Sequence, residues 1–76
     1  MFETQIVFHS LEDIKRFTQD VSKFKSDCDL SRGSFVVDAK STLAVINCHL
    51  DDVYTLKFNA IDDEELDKFK RMLRTF

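Results

Sequence analysis

A chain of 76 residues has room for one domain and one core, close to the size at which disulfide or metal staples become necessary. A hydrophobic content of 43% with eight Phe supplies large side chains for that core and argues against a disordered tail or adaptor. A net charge of −3, with both signs interspersed, argues against the basic face that general nucleic-acid binding needs. No apolar run approaches the ~20 residues of a membrane span, so neither nucleic acid nor membrane is an expected partner. The two cysteines, Cys28 and Cys48, are outside any C-x-x-C spacing. A disulfide between them stays open on sequence grounds. No signal peptide precedes the first strand-like pattern, so the expected state is two reduced, partly buried thiols in a cytoplasmic protein. With no Pro and one Gly there is no linker, and residues 1–76 read as a single domain.

Phe2, Thr4, Ile6 and Phe8 alternate with Glu3, Gln5 and Val7, which predicts a half-buried first strand. Ser10 is placed to cap a helix, with Asp13 three residues on in a carboxylate variant of the capping box. Leu11, Ile14, Phe17, Val21 and Phe24 follow at spacings of three and four and define its apolar face, opposite Glu12, Lys15, Arg16, Gln19 and Lys23. Residues 28–30 and 34–37 read as two strands joined by Ser31-Arg32-Gly33, where the single glycine supplies the positive φ a tight hairpin needs. The third strand breaks at Asp38, and a short helix is expected over about 40–48. Tyr54, Leu56, Phe58 and Ala60 then alternate with Thr55, Lys57 and Asn59 as a fourth strand. Asp62 caps a last helix with Glu65 three residues later, and Ile61 and Leu66 sit where a hydrophobic staple would close. Leu66, Phe69, Met72, Leu73 and Phe76 form its apolar stripe, while Lys70, Arg71 and Arg74 suit its C-terminal dipole end.

The order is βαββαβα. Amphipathic helices segregated against an alternating antiparallel sheet imply an α+β two-layer sandwich with helices on one face. A ferredoxin-like domain fits less well, because of the extra short helix and the hairpin between the second and third strands. The expected core is Ile14, Phe17, Val21, Leu56, Phe58, Phe69 and Met72, with Ala39, Val45 and Leu50 also turned inward.

The run Val37-Asp38-Ala39-Lys40-Ser41-Thr42-Leu43-Ala44-Val45-Ile46 takes a strand end into an apolar helix through a Lys-Ser junction. It resembles the stretch around the regulatory serine of HPr, the histidine phosphocarrier of the bacterial phosphotransferase system. From Asp13 to the C-terminus the chain can be laid on that family without a gap. The resemblance implies an HPr-like open-faced sandwich, a four-stranded antiparallel sheet covered by three helices on one face.

The same register sets Ser10 where the family keeps its phospho-accepting histidine. The family signature there is His-x-Arg-Pro; this chain reads Ser10-Leu11-Glu12-Asp13. A serine's pKa is far too high for a reversible phosphoryl shuttle without an adjacent base. Glu12 exchanges a cation for an anion that repels phosphate, and Asp13 adds a second. Ser10, Glu12 and Asp13 thus occupy a degenerate phosphocarrier motif; no catalytic residue is expected, and the chain is read as no enzyme. His9, one residue upstream, is the displaced acceptor on which a phosphocarrier reading would depend. It closes a strand beside two carboxylates and is expected to be a partly exposed structural residue. His49 next to Asp51-Asp52 lacks a metal-ligand set, so neither metal nor cofactor is expected.

Ser41, by contrast, matches. In HPr proteins of Gram-positive type the serine in this place is phosphorylated by an ATP-dependent kinase, and the modified surface binds a transcriptional repressor. A phosphate on Ser41 would meet a helix N-terminus and the neighbouring Lys40; the plain alternative is a helix cap. Lys40, Ser41, Thr42, Leu43 and Ile46 form the partner surface the resemblance implies, with Leu43 and Ile46 more exposed than Val45. HPr kinase or a transcriptional regulator is the protein partner expected by analogy. The resulting expectation is a non-catalytic regulatory or interaction protein. The alternatives are a phosphoenolpyruvate-dependent carrier using His9 and a structural module that associates through an edge strand.

Overall fold

The computed structural model describes residues 1–75. Alternating side chains extend the chain into β1 (Phe2–Val7), and Ser10 then starts α1 (Leu11–Val21) by accepting the Asp13 N–H on Oγ at 3.1 Å. A hairpin of β2 (Asp27–Arg32) and β3 (Phe35–Asp38) follows, turning at Gly33 with φ +61°. The chain continues through α2 (Thr42–Val45), β4 (Val53–Asn59) and α3 (Asp63–Arg74). The sheet order is β1-β4-β2-β3 and every pairing is antiparallel. The last strand is therefore inserted between the first two, and β1 and β3 are the edges.

The register carries the core. Phe2 and Cys28 flank Phe58, while Thr4 and Leu30 flank Leu56, so one face of the sheet is a continuous inward row. Phe58 stacks on Phe69 of α3 with centroids 3.9 Å apart, and Phe24 meets both rings edge-on. Phe17 of α1 is fully buried and packs edge-on against Phe8 at 5.3 Å. Ile14, Val21, Leu56, Ala39 and Val45 are buried as expected; Met72 is half-buried at the rim. Both thiols are buried and unpaired, and burial pushes the Cys28 thiol up to about 12, with Asp29 and Asp38 adding to the rise and Lys40 opposing it.

Several expectations need correction. Leu11, the first residue after the α1 cap, lies at the helix rim and is 44% exposed, so it does not belong to the buried stripe. Leu50 is also 44% exposed, because it precedes Asp51, whose φ of +68° turns the chain back toward β1. The regular part of α2 is shorter than expected: Asn47 and Cys48 donate to Ala44 and Val45 three residues back, tightening the end into 3₁₀-type turns. The hairpin turn sits at Gly33-Ser34, with Ser31 and Arg32 still paired in β2. Ile61, at the staple position, is largely exposed, and it lines a shallow groove together with Leu66. Phe76, expected on the α3 stripe, lies outside the described residues.

The capping box at α3 is only half made. Asp62 Oδ1 accepts the Glu65 N–H at 2.8 Å, but the Glu65 carboxylate does not return the bond. Its Oε1 accepts instead from the N–H groups of Lys25 and Ser26 at 2.7 and 2.9 Å and from the Ser26 hydroxyl at 3.0 Å. Ser26 is buried, and its Oγ accepts the Ile61 N–H at 2.9 Å, so this clamp ties the α1–β2 loop to the start of α3. Burial alone would raise the Glu65 carboxyl, but the Ser26 and Lys25 donors, with Lys68 nearby, hold it below the ordinary 4.5. A depressed folded-state pKa contributes stability above the unfolded value, lost as pH falls through the folded one. Urea midpoints of the wild type should therefore drop as pH falls below about 4.5, while Glu65→Gln should start lower at neutral pH and lose less on acidification. Parallel profiles for the two proteins would remove the clamp from the acid response.

Candidate functional site

Two surfaces carry the predicted site residues. At the entrance to α1, Ser10 is half-buried and its Oγ is committed to the cap. Glu12 is exposed, and Asp13 Oδ2 accepts the His9 backbone N–H at 3.3 Å. The His9 ring is 72% exposed, and its Nδ1 lies 2.8 Å from Asp51 Oδ1. A carboxylate only accepts, so Nδ1 is the donor in this contact. Asp51 is held for this role by its own N–H, which donates to the Phe8 carbonyl at 2.8 Å. The entrance to α1 thus gathers His9 and carboxylates, and two of those carboxylates are hydrogen-bonded to the histidine residue itself.

At the other surface, Ser41 caps α2, its Oγ accepting the Ala44 N–H at 3.3 Å. Lys40 is positioned by an Asp38 turn, in which its N–H donates to Oδ1 at 2.9 Å. Thr42 points at α1, where its hydroxyl lies 2.8 Å from that of buried Thr18. Leu43 is 83% and Ile46 39% exposed, against 0% for Val45. The ordering expected from sequence therefore holds, and Thr42 faces the neighbouring helix.

The two surfaces are linked by the α2–β4 connection. It leaves α2, places the His49 N–H on the Tyr54 hydroxyl at 2.8 Å, and returns at Asp51 to the end of β1. Asp52 pairs with Arg32 at 2.9 Å and lies 3.8 Å from His49 Nδ1. These are exposed contacts and contribute little to stability. Among the described residues no group of three or more His, Cys, Asp or Glu side chains is arranged to hold a metal ion. No helix among them is long and apolar enough to cross a membrane. The His9–Asp51 contact was not legible beforehand; its only signal was an Asp beyond a helix end, a residue type that tolerates φ > 0.

The element order, the β1-β4-β2-β3 sheet and the open second face define an α+β open-faced sandwich of the HPr-like fold. Among solved structures, HPr-C-His from Thermoanaerobacter tengcongensis superposes with a TM-score of 0.73 at 20% identity, over 99% of this chain and 93% of that one. At that identity the similarity establishes the fold. No protein-family model matches the chain, and no curated protein matches it.

Proposed function

We propose that residues 1–76 form a single-domain, non-catalytic regulatory or interaction protein that works through the start of α2 under control of phosphorylation at Ser41. The observation that carries this reading is the pairing of a half-exposed capping serine with the strongly exposed Leu43 on a helix of four residues. An apolar side chain left in water beside a modifiable hydroxyl makes a small surface whose charge can be changed without disturbing the core. The partner surface comprises Lys40, Ser41, Leu43 and Ile46, with Thr42 supporting it from the α1 side. The partner is a protein, with HPr kinase or a transcriptional regulator favoured by the likeness to HPr.

Incubation with Gram-positive HPr kinase and ATP should add one phosphate to Ser41, absent from Ser41→Ala, while that organism's HPr is labelled in the same tube. Ser41→Asp should change partner binding with less than about 0.5 kcal/mol effect on stability, because Asp caps a helix as well as Ser does. An unmodified protein beside a labelled control would leave Ser41 as a cap only.

The His9–Asp51 pair favours a second reading, a phosphoenolpyruvate-dependent carrier using the displaced histidine. Acid-labile phosphate on His9 after incubation with Enzyme I would select it. We prefer the first reading because His9 is already hydrogen-bonded to two carboxylates.

A further inference from the structure

The two sheet edges are unlike. The β3 edge is four residues long and ends where the Asp38 carboxylate takes the Lys40 N–H and turns the chain away. The β1 edge is six residues, FETQIV, in unbroken register with β4 from Phe2 to Val7. It carries no proline, lysine, arginine or bulge, the devices that ordinarily keep an edge from accepting another strand. Its single charge, Glu3, faces Lys57 of β4 at 4.0 Å on the open side of the sheet. Among the described residues the outer side of β1 has no backbone partner. A groove of about 310 Å³ runs beside it, lined by Thr4, Gln5, Ile6, Val7 and Leu73. Phe2, Thr4 and Ile6 are only half-buried, so a strand laid on this edge would complete their burial.

We infer that the β1 edge is a self-association surface, on which a second copy of this chain adds its own β1 antiparallel across a twofold axis at Thr4. This is independent of the Ser41 reading. The alternation on β1 restricts the register. Phe2, Thr4 and Ile6 oppose Phe58, Leu56 and Tyr54 on the helix side, while Glu3 and Gln5 oppose Lys57 and Thr55 on the open side. A sheet that keeps its helices on one face must pair even positions with even, because a slip of one residue sends every side chain to the wrong side. Of the residue-centred axes that keep this parity, those at Thr4 and Gln5 overlap the most of the strand. An axis at Gln5 sets Glu3 against Val7 and Thr4 against Ile6, mismatching charge with apolar surface. An axis at Thr4 sets Phe2 against Ile6 of the second copy on the helix side, and Glu3 against Gln5 on the open side. Apolar meets apolar and the carboxylate meets an amide, each twice by symmetry. In this register the strand complements itself, and that is the ground for a second copy as the occupant.

Sedimentation equilibrium over a concentration series tests this with two exposed substitutions at one position. A single strand pair buries less than a stable interface needs, so the wild type should dimerise with Kd on the order of 100 µM. Gln5→Lys places a lysine opposite Glu3 of the second copy and should tighten the dimer roughly fivefold at low salt; Gln5→Glu places two carboxylates together and should weaken it roughly fivefold. Salt should erase the difference. Equal weakening by both variants would put the axis at Gln5 and overturn the register. A protein that stays monomeric throughout, even if it adds a foreign extended peptide at β1, overturns the second copy as occupant. So does a dimer indifferent to both variants and dissolved by Leu43→Asp.

Discussion

Phe17→Ala is expected to destabilise the fold by about 3–5 kcal/mol, enough to leave much of the protein unfolded. Phe17 is fully buried in the middle of α1, and its ring stands edge-on to Phe8, itself fully buried where the chain leaves β1. Truncation removes the transfer free energy of a phenyl ring and leaves a cavity between α1 and the sheet. It also removes the aromatic pair, worth about 0.5–1.5 kcal/mol beyond its area. A domain this small has a total stability of order 5 kcal/mol, so the loss approaches the whole. Urea denaturation followed by far-UV circular dichroism measures it. A loss under about 1 kcal/mol would mean that the wrong face of α1 has been assigned to the core.

Much of the fold was legible because periodic burial drives it. β1, α1, β4 and α3 each repeat their apolar residues at the spacing of their own geometry, so the pattern alone places Ile14, Phe17, Leu56, Phe58 and Phe69 inside, where they are buried. Periodicity fails at element ends, where the neighbouring element decides. Leu11 keeps the helical spacing but stands at the rim, and Leu50 is carried outward by the turn at Asp51. The spacing puts Glu65 in the local capping box; the Lys25 N–H and the N–H and hydroxyl of buried Ser26 converge on one of its oxygens and win the carboxylate. A local motif lost to a tertiary one, and no spacing rule reports that.

The candidate site divides in the same way. Ser41 and the exposed Leu43 follow from a cap and a helix face, both local properties, and the structure places them accordingly. The His9–Asp51 contact joins residues 42 positions apart in the chain and depends on one left-handed residue, which a single sequence does not mark.

On the proposed reading, the unmodified chain should take no phosphoryl group from phosphoenolpyruvate and Enzyme I and should not restore sugar uptake to a strain lacking HPr. The reason is electrostatic. Losing the arginine of the family signature alone removes roughly 2–3 kcal/mol of charge-assisted hydrogen bonding, about 30- to 150-fold in rate. Glu12 then sets a negative charge where that cation belongs, and Ser10 offers an Oγ that already accepts the Asp13 N–H. His9 does not escape the same field, because Asp13 and Asp51 are both hydrogen-bonded to it and its Nδ1 is occupied. A phosphoryl dianion approaching either residue meets carboxylates first. Replacing Ser10-Leu11-Glu12-Asp13 with His-Thr-Arg-Pro should be the minimum change after which transfer appears. Uptake restored by the unmodified protein would mean that the carboxylates at His9 assist phosphoryl transfer, with Asp51 then acting to orient the ring.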